Sequence, residues 1–179
     1  NNNPALLNAT RHDNSGFCGV NGDNLLWTII DSGVLTISGA GNMIDYPSYS
    51  AAPWYQSQSL ITSIEISNQL TGIGDYAFFG LSSVTSVTIP DSVVRIGDLA
   101  FGSCNGLTSI IVPEEVVLGN SVFFGCSGLP QDNNGLLIIH DILFGSFKAL
   151  EELSIPSNVY RIDHGAFRCT INTLWLPDN

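Results

Sequence analysis

Apolar residues recur at fixed places in a unit that is written several times along the chain. In the clearest copy, residues 84–107, an apolar-polar-apolar triplet precedes Pro90, and an Ala-Phe pair ends at Phe101. A triplet with apolar first and third residues recurs before Pro113, Pro156 and Pro177. The Ala-Phe pair recurs at Phe78 and Phe167, and as Val-Phe at Phe123. Self-similarity with a period of about 20–50 residues predicts a solenoid of stacked coils.

Each copy begins with a short predicted strand whose first and third residues are apolar. These strands lie at residues 64–66, 87–89, 110–112, 153–155 and 174–176. Alternate residues of a strand share a face, so the apolar positions point into the core and the middle residue points outward. A proline after the triplet removes a ladder donor and ends the strand.

A second extended piece follows each strand, as at residues 93–96, and leads through Gly97 and a polar residue to the Ala-Phe pair. We expect this glycine to permit a turn. We expect Asp75 and Asp98 to cap the short turns that carry the pair. An aromatic column is predicted from Phe78, Phe101, Phe123 and Phe167. Each buried ring would contribute about 1.5–3 kcal/mol.

The period breaks between Pro113 and Pro156, which lie nearly two coils apart. We interpret residues 136–139 as the missing strand, followed by a turn at His140 and Asp141 and a second strand over residues 142–144. This pattern predicts an irregular coil within residues 130–150.

The chain before the repeats follows other patterns. Residues 1–16 are rich in Asn and aperiodic, which predicts a flexible arm, and Asn8 begins a match to the N-glycosylation pattern. Over residues 25–38, period-two apolar spacing flanks a Gly-containing turn, which predicts a β-hairpin. The first coil of a solenoid needs a cap. We therefore assign residues 17–59 to an N-terminal cap and residues 60–179 to about five to six coils.

Aromatic residues are dense in this predicted cap. We expect the side chains of Trp27 and Trp54 to cover the apolar N-terminal end of the solenoid core. The alternative is a carbohydrate-binding platform formed by Trp54, Tyr55, Tyr46 and Tyr49.

Charge narrows the classes of partner. The chain has 16 acidic and five basic residues, a net charge of -11. Nucleic acids and anionic membranes attract basic surfaces, so neither is a predicted partner. No run of about eighteen apolar residues occurs, and no membrane insertion is predicted.

Candidate chemistry is sparse. Cys18, Cys104, Cys126 and Cys169 show no CxxC spacing, and no GxSxG, HExxH or P-loop pattern occurs, so neither a metal site nor an enzyme is predicted. Cys104 and Cys126 lie about one repeat apart. They form either a column of buried thiols or a disulfide between coils.

One polar column runs through the turns. It contains Asp75, Asp98, Asn120 and His164. Its oxygens suit Ca²⁺, but a tight site needs six to eight of them. Turn capping is therefore the preferred interpretation, and no cofactor is predicted.

The repeat resembles the leucine-rich repeats of the BspA-like family, whose pattern is roughly Leu-x-x-Val-x-Ile-Pro-x-x-Val-x-x-Ile-Gly-x-x-Ala-Phe-x-x-Cys-x-x-Leu. Residues 84–107 match nearly throughout, and the likeness extends over about residues 17–179, including the cap and the irregular coil. In the last copy, Asp163 replaces the glycine and Cys169 follows Phe167 by only two residues.

The resemblance implies a right-handed leucine-rich-repeat solenoid, β-rich with short helical or 3-10 turns. It also implies a secreted or surface-displayed protein of bacteria or some protists, and adhesion to host proteins or other cells. It assigns no binding residues.

The outward face of the strand column is the candidate binding surface. Its middle positions are Glu65, Thr88, Ile111, Ser154 and Trp175, and most positions beside them are small and polar. Trp is enriched in binding hot spots. Trp175 is therefore either a partner contact or a residue that a further repeat would bury.

Two functions of different classes fit these observations. The first is a non-catalytic extracellular or cell-surface module that binds a protein or glycan through this face. The second is a structural spacer that displays another domain. The last copy stops directly after its strand, so either the chain continues or another molecule covers this end. Open solenoid ends also predict an end-to-end homodimer.

Overall fold

The computed structural model describes residues 14–146, 152–164, 166–167 and 173–176. Most of the predicted N-terminal arm, the glycosylation match at Asn8, and Cys169 lie outside these residues. The strands are β1 (Ser15–Gly19), β2 (Gly22–Ile29), β3 (Val34–Gly39), β4 (Gly41–Asn42), β5 (Ser63–Ile66), β6 (Leu70–Ile73), β7 (Ser86–Thr88), β8 (Arg95–Ile96), β9 (Ser109–Ile111), β10 (Val117–Leu118), β11 (Leu136–Ile139), β12 (Ile142–Ser146), β13 (Glu152–Ser154), β14 (Arg161–Ile162) and β15 (Thr173–Trp175). A 3-10 helix spans Tyr55–Leu60.

Successive coils contribute parallel strands to two columns. In the first column β3 pairs with β5, β7 with β9 and β13 with β15. The second column runs in the order β10-β8-β6-β4. The strand register places equivalent residues of successive coils opposite one another. Val87 lies opposite Ile110, and Ile73 lies opposite Ile96. This stacking of equivalent residues is the predicted repeat architecture.

The repeat strands begin one residue earlier than predicted. For example, β7 is Ser86–Thr88 and β9 is Ser109–Ile111. A proline two residues beyond each of these strands has no N–H with which to extend the ladder, so regular pairing ends early. The inward residues Val87 and Ile89 are buried, as the alternation predicts.

The predicted β-hairpin is present as β2 and β3, which pair antiparallel with Trp27 opposite Ile37. An additional strand, β1, pairs antiparallel with β2 and was not predicted. Trp27, Trp54 and Tyr46 are buried, and Trp27 and Tyr46 each contact Trp54 edge-to-face. Burial excludes Trp54 and Tyr46 from a carbohydrate platform, and the packing interpretation is the correct one.

The aromatic column is confirmed for three of its four predicted members. The ring centroids of Phe78 and Phe101 are 5.3 Å apart, and those of Phe101 and Phe123 are 6.0 Å apart. The next ring is Phe144, whose centroid lies 5.1 Å from that of Phe123. Phe167 instead packs against a second, smaller core cluster. The prediction for Phe167 was wrong because the irregular coil places its own aromatic ring in the column.

The predicted role of the repeat glycine was also wrong. The turn residues with positive φ are Tyr76, Leu99 and Ser121, at +56°, +55° and +54°, whereas Gly97 does not have a positive φ. A Cβ on Gly97 would lie 2.2 Å from Asp75 Oδ1 and 2.5 Å from Asp75 N. Glycine is required here because the preceding coil leaves no room for a side chain.

The irregular coil contains the predicted pair of strands. β11 and β12 pair antiparallel, and the turn between them places His140 and Asp141 at φ +49° and +57°. β12 then pairs parallel with β14. β11 forms no ladder with β9 within the described residues, so the first column is interrupted at this coil.

No helix among the described segments has the length and apolar character needed to cross a membrane.

Candidate functional site

All five predicted site residues lie exposed on the outward face of the first strand column: Glu65, Thr88, Ile111, Ser154 and Trp175. Register brings Thr88 opposite Ile111 and Ser154 opposite Trp175, while Glu65 lies opposite Thr36. These pairs belong to three separate sheets. The five residues therefore share a face but do not form one continuous ladder.

Two of these residues are apolar and well exposed. Ile111 is 61% exposed and Trp175 is 58% exposed. The partners of Ile111 and Trp175 across the sheet, Thr88 and Ser154, are small and polar. Each apolar side chain therefore lies opposite a small polar residue and projects beyond it, as a large residue that anchors a partner would.

The last described strand departs from the predicted burial. Leu174 is 42% exposed and Leu176 is 63% exposed, whereas the equivalent Leu153 is buried. Within the described residues β15 has a strand neighbour on one side, β13. The apolar surface around Trp175 is therefore wider than a single side chain.

Sequence reasoning missed an exposed aromatic residue within the predicted cap. Phe17 in β1 lies opposite Leu26 in β2, and it is 62% exposed. Leu26 in turn lies opposite Ser38 of β3, so the pair shares the outward face. The signal was the alternation within residues 15–19, which is too short to identify a strand by itself.

The predicted turn caps form a ladder between coils instead. The Asp75 backbone N–H donates to Asp45 Oδ1 at 3.0 Å, that of Asp98 to Asp75 Oδ1 at 2.8 Å, and that of Asn120 to Asp98 Oδ1 at 2.8 Å. Each carboxylate therefore accepts a hydrogen bond from a backbone N–H of the following coil, not of its own turn. The capping prediction was wrong because stacked coils bring the next N–H closer.

The Arg95 side chain links its own coil to two carboxylates of the ladder that lie earlier in the chain. Its guanidinium donates to Asp45 Oδ1 at 2.9 Å and to Asp75 Oδ1 at 3.0 Å. Partial burial tends to raise the pKa of Asp45, but the Asp75 N–H and the Arg95 guanidinium outweigh it, and the pKa is lowered. The ladder therefore holds Asp45 as a carboxylate.

In the last repeat the hydrogen bond between coils has the opposite direction, because the carboxylate belongs to the later coil and the N–H to an earlier one. Asp163, at the repeat's glycine position, is buried, and its Oδ2 accepts the Ser121 backbone N–H at 2.7 Å. The Arg161 guanidinium lies 3.5 Å from Asp163 Oδ1 and also donates to the Leu118 carbonyl. Burial raises the pKa of Asp163 despite these contacts.

A groove of about 550 Å³ runs beside the ladder and is lined by both Asp75 and Asp98 together with Asn120 and His164. Among the residues that the structure describes, no three His, Cys, Asp or Glu side chains lie where they could share a metal ion. The carboxylates of Asp75 and Asp98 are already engaged by backbone N–H groups.

The thiols at the repeat's cysteine position form a second inter-coil column. Cys104 Sγ donates to the Phe78 carbonyl at 3.1 Å, and Cys126 Sγ donates to the Phe101 carbonyl at 3.0 Å. Both are free thiols and buried. The neighbouring Cys104 thiol, together with burial, raises the pKa of Cys126, and burial alone raises that of Cys18 to about 12. The thiols of Cys126 and Cys18 therefore stay protonated at neutral pH.

Comparison with known proteins identifies the repeat. Residues 53–173 match the family model described as a BspA type leucine-rich repeat region, in six copies. No curated protein sequence matches this chain.

Solved structures that are similar to this chain come from several bacteria. A leucine-rich repeat protein from Eubacterium ventriosum is 23% identical with a TM-score of 0.57, and the match covers 89% of this chain and 62% of that one. A leucine rich cell surface protein from Faecalibacterium prausnitzii is 21% identical with a TM-score of 0.44, covering 86% and 53%. The chain thus spans less than two thirds of these proteins. The family match covers more than half of the chain, and the chain therefore belongs to the BspA-type leucine-rich repeat family.

Proposed function

We propose that this chain is a non-catalytic binding module that holds a protein on the outward face of its first strand column. The observation that carries the proposal is the exposure of Ile111 and Trp175, each opposite a small polar residue. Leucine-rich repeat families are generally non-catalytic. The described thiols are buried, which is consistent with a structural use of these side chains.

Charge defines the kind of partner. The described residues contain two basic side chains, Arg95 and Arg161, and both are engaged by aspartates within the fold. The outward face instead carries the exposed carboxylates of Glu65 and Glu152. An acidic face, with no free cation among its described residues, favours a basic or neutral patch on the partner.

The proposal places the module outside the cell or on the cell surface, where the family resemblance leads us to expect adhesion to host proteins or other cells. A glycan partner on the same face, binding through Trp175, is the alternative outcome of the test below.

The test is a binding screen of the purified chain against immobilised extracellular-matrix proteins and a glycan array. A double variant, Ile111→Ser with Trp175→Ala, is screened in parallel. The proposal predicts saturable binding to a protein that the double variant loses. Binding to glycans alone would replace the protein partner with a carbohydrate, and equal binding by both proteins would contradict the proposed face.

The second candidate function is a structural spacer. It is favoured by the polar serines Ser63, Ser86 and Ser109, which give much of the face no anchoring group. A spacer predicts no saturable binding in the screen by either protein.

A further inference from the structure

The interruption of the first strand column leaves a cleft at the gap. The cleft has a volume of about 210 Å³ and lies between β9 and β11. Its walls are largely apolar and are formed by Ile110, Leu129, Pro130, Leu137, Ile138 and Ile139. Thr108 and Ser109 line it as well, and both are exposed, so the cleft opens to solvent.

The backbone of β9 adds polar groups to this apolar cleft. The Ser109 N–H donates to the Thr85 carbonyl, and the Ile111 carbonyl accepts from the Ile89 N–H. Residues 109 and 111 therefore direct their backbone groups toward β7. Successive residues of a strand alternate in this respect, so the N–H and carbonyl of Ile110 point to the opposite side, where the cleft lies.

The size of the cleft selects the kind of occupant. Pockets for small molecules have volumes of about 300–1,000 Å³, and this cleft is smaller than that range. It is large enough for one apolar side chain, with a strand-like backbone passing across the Ile110 amide. Anchoring by one side chain in a well-fitted pocket is how a few residues come to dominate a protein interface.

The charge near the cleft indicates which residues of the partner would flank the apolar side chain that enters it. Exposed carboxylates follow three of the lining segments within a few residues: Glu114 after β9, Asp132 after Pro130, and Asp141 after Ile139. The two arginines of the described residues are both committed to ion pairs elsewhere. Lysine or arginine residues flanking the anchor would therefore meet complementary charge and no described cation that repels them.

We propose that this cleft binds a single apolar side chain of an extended, lysine- or arginine-bearing segment of the partner protein. The proposal rests on the function proposed above and names the recognition element of its partner. Backbone hydrogen bonding to Ile110 would set the direction of the segment, and the apolar anchor would set its register.

The test uses an array of short fluorescent peptides, each with one central Leu, Ile, Met or Phe between Lys and Thr residues. Two matched sets replace the central residue with Ser, or each Lys with Glu. The chain is compared with the variants Ser109→Trp, which closes the cleft mouth, and Ser86→Trp, at the register-equivalent exposed position on β7. Thermal melts check that both variants fold.

We expect Ser109→Trp to weaken peptide binding by at least about tenfold and Ser86→Trp by less than about twofold, because hot-spot contacts are local. Peptides with a central Ser, and peptides with Glu in place of Lys, should each lose a similar factor. Absence of binding by the unmodified chain, or equal loss in both Trp variants, would overturn the proposal. If the matrix screen still shows binding that depends on Ile111 and Trp175, the cleft proposal fails alone. If neither assay shows binding, the proposed function fails with it.

Discussion

The indole of Trp54 lies on the ring of Phe78, with ring centroids 6.0 Å apart and planes inclined by 22°. Its Nε1 donates a hydrogen bond to the Ala77 carbonyl at 2.9 Å. Trp54, which the sequence assigns to the predicted cap, therefore occupies the place that a coil's phenylalanine would have. The aromatic column begins at Trp54, and residues on both sides of it share one core.

Replacing Trp54 tests this shared core. Trp54→Ala should destabilise the chain by about 3–5 kcal/mol, because a fully buried aromatic side chain is lost. Trp54→Phe should cost about 1–3 kcal/mol, since it keeps a ring but leaves the Ala77 carbonyl without its donor. Urea unfolding measures both. A cost below about 1 kcal/mol for Trp54→Ala would show that the cap packs independently of the coils.

The irregular coil gives a second prediction about the column. Phe101→Ala and Phe144→Ala should each cost about 3–5 kcal/mol, because both rings are buried in the stack. Phe167→Ala should cost less than about 2 kcal/mol, because its ring is half-buried and lies outside the stack. Denaturant melts of the three variants would contradict the assignment if Phe167 proved as costly as Phe144.

The repeat glycine gives a third prediction. Gly97→Ala should cost about 3 kcal/mol, at the upper end for overpacking, because Asp75 backbone atoms would have to move. Gly22→Ala is the matched control, since a Cβ there meets nothing within 4 Å and only the φ of +80° is unfavourable, at about 1 kcal/mol. Equal costs in thermal melts would mean that turn geometry, not the spacing of coils, requires the glycine.

The two ends of the carboxylate ladder, the exposed Asp45 and the buried Asp163, should respond to pH with opposite signs. The pKa of Asp45 is lowered, so its stabilising contribution is present above its unfolded value of about 3.8 and is lost as the pH falls through the folded value. The pKa of Asp163 is raised, so ionisation costs stability as the pH rises from about 3.8 through the folded value.

Urea melts of Asp45→Asn and Asp163→Asn between about pH 2 and pH 7 check these signs. Relative to the unmodified chain, Asp45→Asn should become less stable as the pH rises, and Asp163→Asn should become more stable. Slopes of the same sign in both variants would contradict the assigned environments.

The repeat architecture was predictable because the spacing of prolines, glycines and phenylalanines is the same in each regular copy of the repeat. Strands, the hairpin at Trp27 and three stacked rings followed from periods that depend on local geometry. The outward placement of Ile111 and Trp175 followed from the same alternation.

Contacts between coils were not predictable in this way. The role of Gly97 depends on how closely Asp75 approaches it in space, and the ladder depends on which N–H lies nearest each carboxylate. The replacement of Phe167 by Phe144 depends on how the irregular coil stacks. The cleft exists because β11 does not pair with β9, which no residue pattern encodes.

The most direct test of the binding face compares two double variants by surface plasmon resonance on the protein found in the screen. One is Ile111→Ser with Trp175→Ala. The other is Val94→Ser with Val117→Ser, which removes two equally exposed apolar side chains beside the second strand column. The binding face predicts that Kd rises at least about thirtyfold in the first, as for lost hot spots, and less than about twofold in the second. Equal Kd values in the two variants, or a larger loss in the second, would contradict it.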